Sequence, residues 1–360
     1  MRNQGSAVRK AFALYLCVVG FASLSITASH AATDEANLVA AAQKEGVLDY
    51  ADNLMAPKSR AAMQEAFVKH YGLKDFKFKP YLLKAGQLVG RIEEEVASGR
   101  VTTDWANVNA YAFWASMNAH HALLEYCAPE YKAFTLLNKV GIPDGGCYFH
   151  ASHGVTFTPM WNPKFVHQDF TSWKQLANPK YKGEIILSDA RKAPPYLDTF
   201  IGLRQILPLS WFKEMAKLHP FLLVRSTEIR DKVMTGEFPI AAWGYAPRAY
   251  QVRKEAKLDV SYPKEGVVLE GAFAGILAKA PHPAAAKLWD DFWFSKEGQT
   301  ILVKYEGVIS GRSDLKVSPE LRKYVPSLAS IKVIPVQWAK VTAKDREKAR
   351  DEFRKIFTNE

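Results

Sequence analysis

Short apolar runs alternate with stretches of helical periodicity through most of this chain, and that alternation admits few folds. Residues 34–44 read as a helix, with Asp34 as its cap, Leu38, Ala41 and Ala42 on one face, and Gly46 as its stop. The apolar run 47–51 follows as a buried strand. Met63, Phe67 and Tyr71 recur every four residues on a second helix, and residues 76–81 form a second strand. Leu88, Ile92 and Val96 mark a third helix before a strand at 102–108. Units of this length predict a mainly parallel sheet covered by helices.

After the turn-rich GIPDGG at residues 141–146 a second α/β pattern begins. Strand-like runs at 155–160, 184–187, 221–224 and 238–243 alternate with helices at 172–177, 196–206, 211–218 and 228–235. Residues 267–278 then read as extended chain that crosses back to the first unit. Ala285, Leu288, Trp289 and Phe292 set a packing helix over 283–294, and Ser295 opens another that ends near Gly311-Arg312. Residues 344–357 are a charged amphipathic helix. There is no internal repeat and no low-complexity tract.

The first thirty-one residues have the pattern of an export signal. Arg2, Arg9 and Lys10 precede an apolar core over 11–26, and Ser29 and Ala31 fit the small-residue cleavage site. The core is shorter than the ~20 apolar residues of a spanning helix. Cleavage after residue 31 leaves 329 residues of the 360, more than a single core usually holds, so two lobes are expected. The leader carries three of the eleven net positive charges. The remaining eight are scattered among many acidic residues, which argues for a mild bias toward anionic ligands and against a nucleic-acid track.

Two cysteines remain, Cys127 and Cys147, and in an exported chain a close pair predicts a disulfide. It closes a loop of about twenty residues and contributes roughly 3 kcal/mol. The competing reading is a metal site, because Cys147, His150 and His153 sit at short spacing with His120 and His121 upstream. No second Cys-x-x-Cys limb completes a tetrahedral set. No phosphate loop, dinucleotide fingerprint, His-Glu-x-x-His or Gly-x-Ser-x-Gly is present, and neither an enzyme activity nor a cofactor is expected.

Four blocks, in order, resemble the extracellular solute-binding proteins of bacterial ATP-binding-cassette importers. The similarity is to the branch that includes ferric-iron, thiamine, polyamine and phosphonate binders. AAQKEGVLDYADN from Ala41 is similar to that branch's opening helix, Glu-Gly turn and first strand. TSWKQLANPKYKGEIILSDA from Thr171 and VMTGEFPIAAWGYA from Val233 resemble two blocks of its second lobe. AGILAKAPHPAAAKLWDDFWFSKEGQTIL from Ala274 carries the most specific part, a strand, a Pro-started Ala-rich helix and Ser-x-Glu-Gly-Gln.

The resemblance implies an α/β type II periplasmic-binding fold, two lobes joined by a hinge with a ligand cleft between them. One lobe is expected from residues 32–139 plus 268–360 and the other from 140–267. It also implies a periplasmic monomer that passes a small solute to an inner-membrane permease. Ligands of α/β sheets lie at the carboxyl ends of strands, which selects Asp52, Asn53, Asn107 and Asn109 from the first lobe. Ser188, Asp189, Arg191, Trp243, Tyr245 and Arg248 come from the second, and Arg312 from the end of the 262–312 stretch. For several of these a plainer role stands beside the functional one. Trp243 suits a core, Arg312 an interlobe ion pair, Asn107 and Asn109 helix caps, and Asp189 and Arg191 a mutual pair.

The ferric members carry a tandem tyrosine pair after the strand of the third block. Here Tyr245 is flanked by Gly244 and Ala246, and Asp52-Asn53 stands where a His would be. Hard ferric iron wants several anionic oxygens, so an organic or oxyanion solute is expected ahead of iron. Arg191, Arg248 and Arg312 favour an anionic group such as carboxylate or phosphonate.

Overall fold

The computed structural model describes residues 34–358, and the export signal expected over residues 1–31 lies outside them. The first half begins with α1 (34–45), β1 (Val47–Asp52), α2 (Pro57–Tyr71) and β2 (Lys77–Tyr81), and continues through α3 (Ala85–Ala97), β3 (Trp105–Val108) and α4 (Tyr111–Ala119). Both β2 and β3 pair parallel with β1, as the alternating pattern requires. Pro57 sits in the first turn of α2, where its missing N–H costs nothing, and Gly72 closes the helix in the left-handed conformation at φ 64°.

A short helix, α5 (Leu136–Lys139), leads to β4 (His150–Trp161), a strand of 12 residues buried along its whole length. The second half follows as β5 (Ile185–Ser188), α6 (Pro194–Ile206), α7 (Leu209–Lys217), β6 (Phe221–Leu223), α8 (Ser226–Thr235), β7 (Ile240–Tyr245), α9 (Ala246–Gln251) and β8 (Asp259–Val260). The chain then returns through β9 (Leu269–Ile276), α10 (Pro283–Phe294), α11 (Lys296–Glu306) and β10 (Ile309–Ser310), and ends in α12 (Ala343–Phe357).

β4 joins the two halves. Its first part, from His150 to Thr156, pairs antiparallel with β9, which in turn pairs antiparallel with β3. Its second part pairs with β7 and β8, and β7 is followed by β5 and β6 in parallel. The strand order is therefore β2-β1-β3-β9-β4-β7-β5-β6, one path shared by two α/β lobes. Irregular register at Ala151/His153 and Thr158/Met160 lets β4 bend as it passes from one to the other.

The core of the first lobe is aromatic. Trp289 and Trp293 of α10 lie 5.2 Å from Phe67 and 4.8 Å from Trp105 respectively, with Tyr50 and Phe78 completing the cluster. All of these but Phe78 are fully enclosed. Cys127 and Cys147 are joined as a disulfide with 4.5 Å between their Cα atoms, so Cys147 is not free to ligate a metal with His150 and His153.

The last helix packs across to the second lobe. Residues 343–357, expected with the first lobe, pack on α6 and α7 of the second. Phe353 meets Phe200 edge-on at 5.4 Å, Arg204 grips Glu352 at 3.0 Å, and Arg346 pairs with Asp198. The turn at Trp338–Lys340 that precedes it rests on α4, so the C-terminal segment touches both lobes.

Candidate functional site

The strand ends that sequence selects open on a seam between the lobes. Asp52 closes β1 and is buried; it accepts the backbone N–H groups of Leu54 at 2.9 Å and Met55 at 2.6 Å. These bonds shape the loop that starts α2, and Asn107 Nδ2 donates to the same carboxylate at 2.8 Å. Burial pushes the Asp52 carboxyl pKa up, against the pull of those donors. Asn53 Nδ2 donates to Asn109 Oδ1 at 2.7 Å, which ties the loops after β1 and β3 together. Asn53 and Asn107 each retain a buried amide oxygen without a hydrogen-bond partner among the described residues.

On the facing lobe, Tyr245 ends β7 with its ring 5.2 Å from Phe157, and Phe157 meets Tyr196 edge-on at 5.3 Å. Arg248 lies 5.5 Å from the Tyr245 ring and donates to Ser226 Oγ at 3.1 Å and Gln251 Oε1 at 2.6 Å. Burial raises the Tyr245 phenol far above its usual range; Arg248 opposes this, while Glu306, Tyr196 and Asp52 add to it. Charges from both lobes thus act on one phenol. Asp52, Asn53, Asn107, Asn109, Tyr245 and Arg248 are the sequence candidates brought together here.

The others are placed differently. Ser188 and Trp243 bond each other's backbone, the Ser188 hydroxyl to the Trp243 carbonyl and the Trp243 indole N–H to the Ser188 carbonyl, both at 3.1 Å. Trp243 is fully enclosed and its ring faces Phe353 and Phe357 in the core. Arg191 forks onto Asp189 at 3.0 and 2.9 Å. Arg312 is 5% exposed and points into its own lobe, where it holds Glu130, Asp314 and the Phe294 carbonyl, each at 2.8 Å. Arg312, expected beside Arg191 and Arg248 around an anion, is therefore engaged within its own lobe.

Two carboxylates that sequence reading passed over lie on the seam. Glu306, at the end of α11, accepts the Ala56 N–H at 2.5 Å and the Ser59 hydroxyl from the first lobe, and Gln251 Nε2 at 2.8 Å from the second. Glu270, on β9, lines a small inner pocket whose wall of Asn109, Tyr111, Asp198 and Arg346 is shared with a cavity of about 360 Å³ between the starts of α3, α4 and α6 and the face of α12. Glu306 stands among many helix charges and carried no signal. Glu270 did: it is the lone charged residue of LEGAFAGI.

Asp49, Asp104 and His282 bring three potential metal-ligating atoms within 4.8 Å of one another. Their partners explain them without an ion. Asp104 accepts the backbone N–H groups of Asp49 and His282 at 2.7 and 2.8 Å and bonds the His282 ring at 2.9 Å, while Lys79 reaches Asp49 at 3.4 Å. The cluster braces β1, β3 and the start of α10. Among the described residues no helix is long and apolar enough to cross a membrane.

Comparison with solved structures finds the same fold in several binding proteins. Iron-bound HitA from Pseudomonas aeruginosa superposes with a TM-score of 0.67 at 18% identity, over 86% of this chain and 99% of that one. The substrate binding protein of the ABC transporter from Agrobacterium tumefaciens gives 0.72 at 14%, over 86% and 94%. AfuA from Actinobacillus pleuropneumoniae, with fructose-6-phosphate bound, gives 0.69 at 18%, over 86% and 98%. At these identities the likeness is one of fold, the type II periplasmic-binding arrangement of two lobes about a cleft. No curated protein matches the chain by sequence. Residues 128–340 do match a family model, and a match across more than half the length makes this chain a member of the bacterial extracellular solute-binding protein family.

Proposed function

We propose that the chain is the periplasmic receptor of an ABC importer: a monomer that closes its lobes on one small solute and carries it to an inner-membrane permease. The observation that carries this reading is the seam itself. Polar groups at the carboxyl ends of β1, β3 and β7 face one another across two lobes joined by β4, the geometry in which hinge motion opens and closes a site. Asp52, Asn53, Asn107, Asn109, Tyr245 and Arg248 are the proposed contacts, with Ser188 acting through Tyr196.

An organic or oxyanion solute is favoured over ferric iron. Tyr245 supplies one phenol, and its acidic neighbours Asp52 and Glu306 are already engaged by N–H and hydroxyl donors. Burial raises both carboxyls, which disfavours their charged forms. Small-angle scattering of the mature protein with candidate solutes tests the reading. The radius of gyration falls on binding and the solute is recovered unchanged; chemical conversion of the solute contradicts it.

A further inference from the structure

We propose that the cavity between α4, α6 and α12 seats a small organic carboxylate, a hydroxy- or oxo-acid, with Glu270 as the buried hydrogen-bond partner of its oxygen substituent and Arg350 as the cation at the mouth. This rests on the receptor reading and names the ligand class at a cavity that shares Asn109 with the proposed contacts. Glu270 is only 6% exposed, and its Oε1 has no hydrogen-bond partner among the described residues. Such an orphan is expensive in a native core and calls for a partner. Asn109, Tyr111, Asp198 and Arg346 line the space beside it. The same four line the larger cavity of about 360 Å³ that leads outward to Arg350.

Three observations select an anionic head. Residues 110–113, the start of α4, line the cavity; no side chain caps this helix and its first turn holds no acidic residue. Its free N–H groups and dipole therefore favour a carboxylate there. Arg346 and Arg350 project from α12 into the same space. Of the two acids that line the cavity, Asp198 is matched by its ion pair with Arg346, and Glu93 lies on the α3 wall.

The lining also selects the body. Val89, Ala110, Phe113 and Leu197 surround the middle of the cavity, which suits a carbon skeleton better than a bare inorganic anion. Burial raises the Glu270 carboxyl pKa well above the usual carboxylate range; the Asp198 charge raises it further and Arg346 lowers it. In its protonated form, which burial favours, Glu270 can donate to a hydroxyl or carbonyl oxygen of the ligand.

Calorimetry on the mature protein with lactate, malate and 2-oxoglutarate tests this, with inorganic phosphate and putrescine as controls. At least one acid binds at a single site. Arg350→Ala, an exposed change, weakens it by about tenfold. Glu270→Leu, checked for folding by circular dichroism, weakens it more, while Glu270→Gln keeps a donor and stays within a few-fold of the parent. No binding by any of the three acids overturns the inference, as does acid affinity unchanged in both Arg350→Ala and Glu270→Leu. Phosphate or putrescine binding that ignores both variants sinks the carboxylate site and leaves the receptor reading standing. A solute chemically altered by the protein overturns the receptor reading itself.

Discussion

The back of the first lobe and the seam between the lobes are built from the same elements, strands followed by helices, but they solve opposite problems. Behind the sheet, α10 presses Trp289, Phe292 and Trp293 against Tyr50, Phe67 and Trp105, and ring meets ring. At the seam, the same strands lead into Asp52, Asn53, Asn107 and Asn109, which spend their hydrogen bonds on holding loops and leave the Asn53 and Asn107 amide oxygens over. Apolar packing specifies shape by itself, whereas a polar seam is specified jointly with whatever fills it. The contrast predicts that damage behind the sheet lowers stability with little change in recognition, and that damage at the seam does the reverse.

The sharpest separation is at Trp289. Trp289→Ala removes the hub of the aromatic cluster and costs ~3–5 kcal/mol in denaturant unfolding, while the folded fraction binds solute as the parent does. Arg312→Ala comes next. It strips Glu130, Asp314 and the Phe294 carbonyl of their donor, and because both carboxylates are partly solvated the loss is about 2 kcal/mol. Unchanged solute affinity places Arg312 in the scaffold; a large affinity loss at constant stability moves it to the site.

His153 sharpens the comparison through pH. Burial in β4 lowers its imidazole pKa from 6.5 to about 3, so the folded state stays unprotonated where the unfolded chain takes up a proton. Its contribution is therefore intact above pH 6.5 and drains away as pH falls toward 3, by about 1.4 kcal/mol per unit. Asp290 and Asp291, raised by burial to about 6 and about 7, act with the opposite sign and favour the fold as pH drops through those values. Urea titrations of parent and His153→Leu at a series of pH values isolate the histidine part: the parent loses stability on acidification relative to the variant. Parallel pH profiles contradict the assignment.

The smallest stability effect is expected at Glu306→Ala, about 1 kcal/mol, because the buried Ser59 hydroxyl keeps its bond to the Ala56 carbonyl. Its effect on binding is larger in proportion, since Glu306 is bonded to Ala56 and Ser59 on one side and to Gln251 on the other. Affinity falls several-fold and scattering reports a more open molecule without ligand. A variant that loses stability and keeps both affinity and compactness shows Glu306 to be scaffold.

Much of the scaffold was legible because its signals are local. Residues 47–51 and 184–187 are apolar-rich runs and became β1 and β5; the four-residue rhythm of Met63 and Phe67 became the buried face of α2. β4 was read short, at 155–160, because both its faces are buried and its first half holds His150, Ser152 and His153, which mimic a polar loop. α9, at six residues, is too short for a helical period to show. The packing of α12 on α6 and α7 was invisible because charge patterning marks a helix as amphipathic without naming the surface it covers. The seam divided in the same way. Positions after strands located Asp52, Asn109 and Tyr245, but strand ends also carry residues such as Trp243 whose partners lie in the core, and only tertiary contact separates the two kinds. Glu306 and Arg346 reach the seam from helices distant in sequence, and no local rule finds them.

Native mass spectrometry of the mature protein tests the central claim most directly. The account predicts one small molecule per chain, taken up when supplied, lost on unfolding and identical in mass before and after. A chain that takes up no solute from a broad mixture of organic acids, oxyanions and ferric complexes, or that releases a chemically altered one, contradicts it.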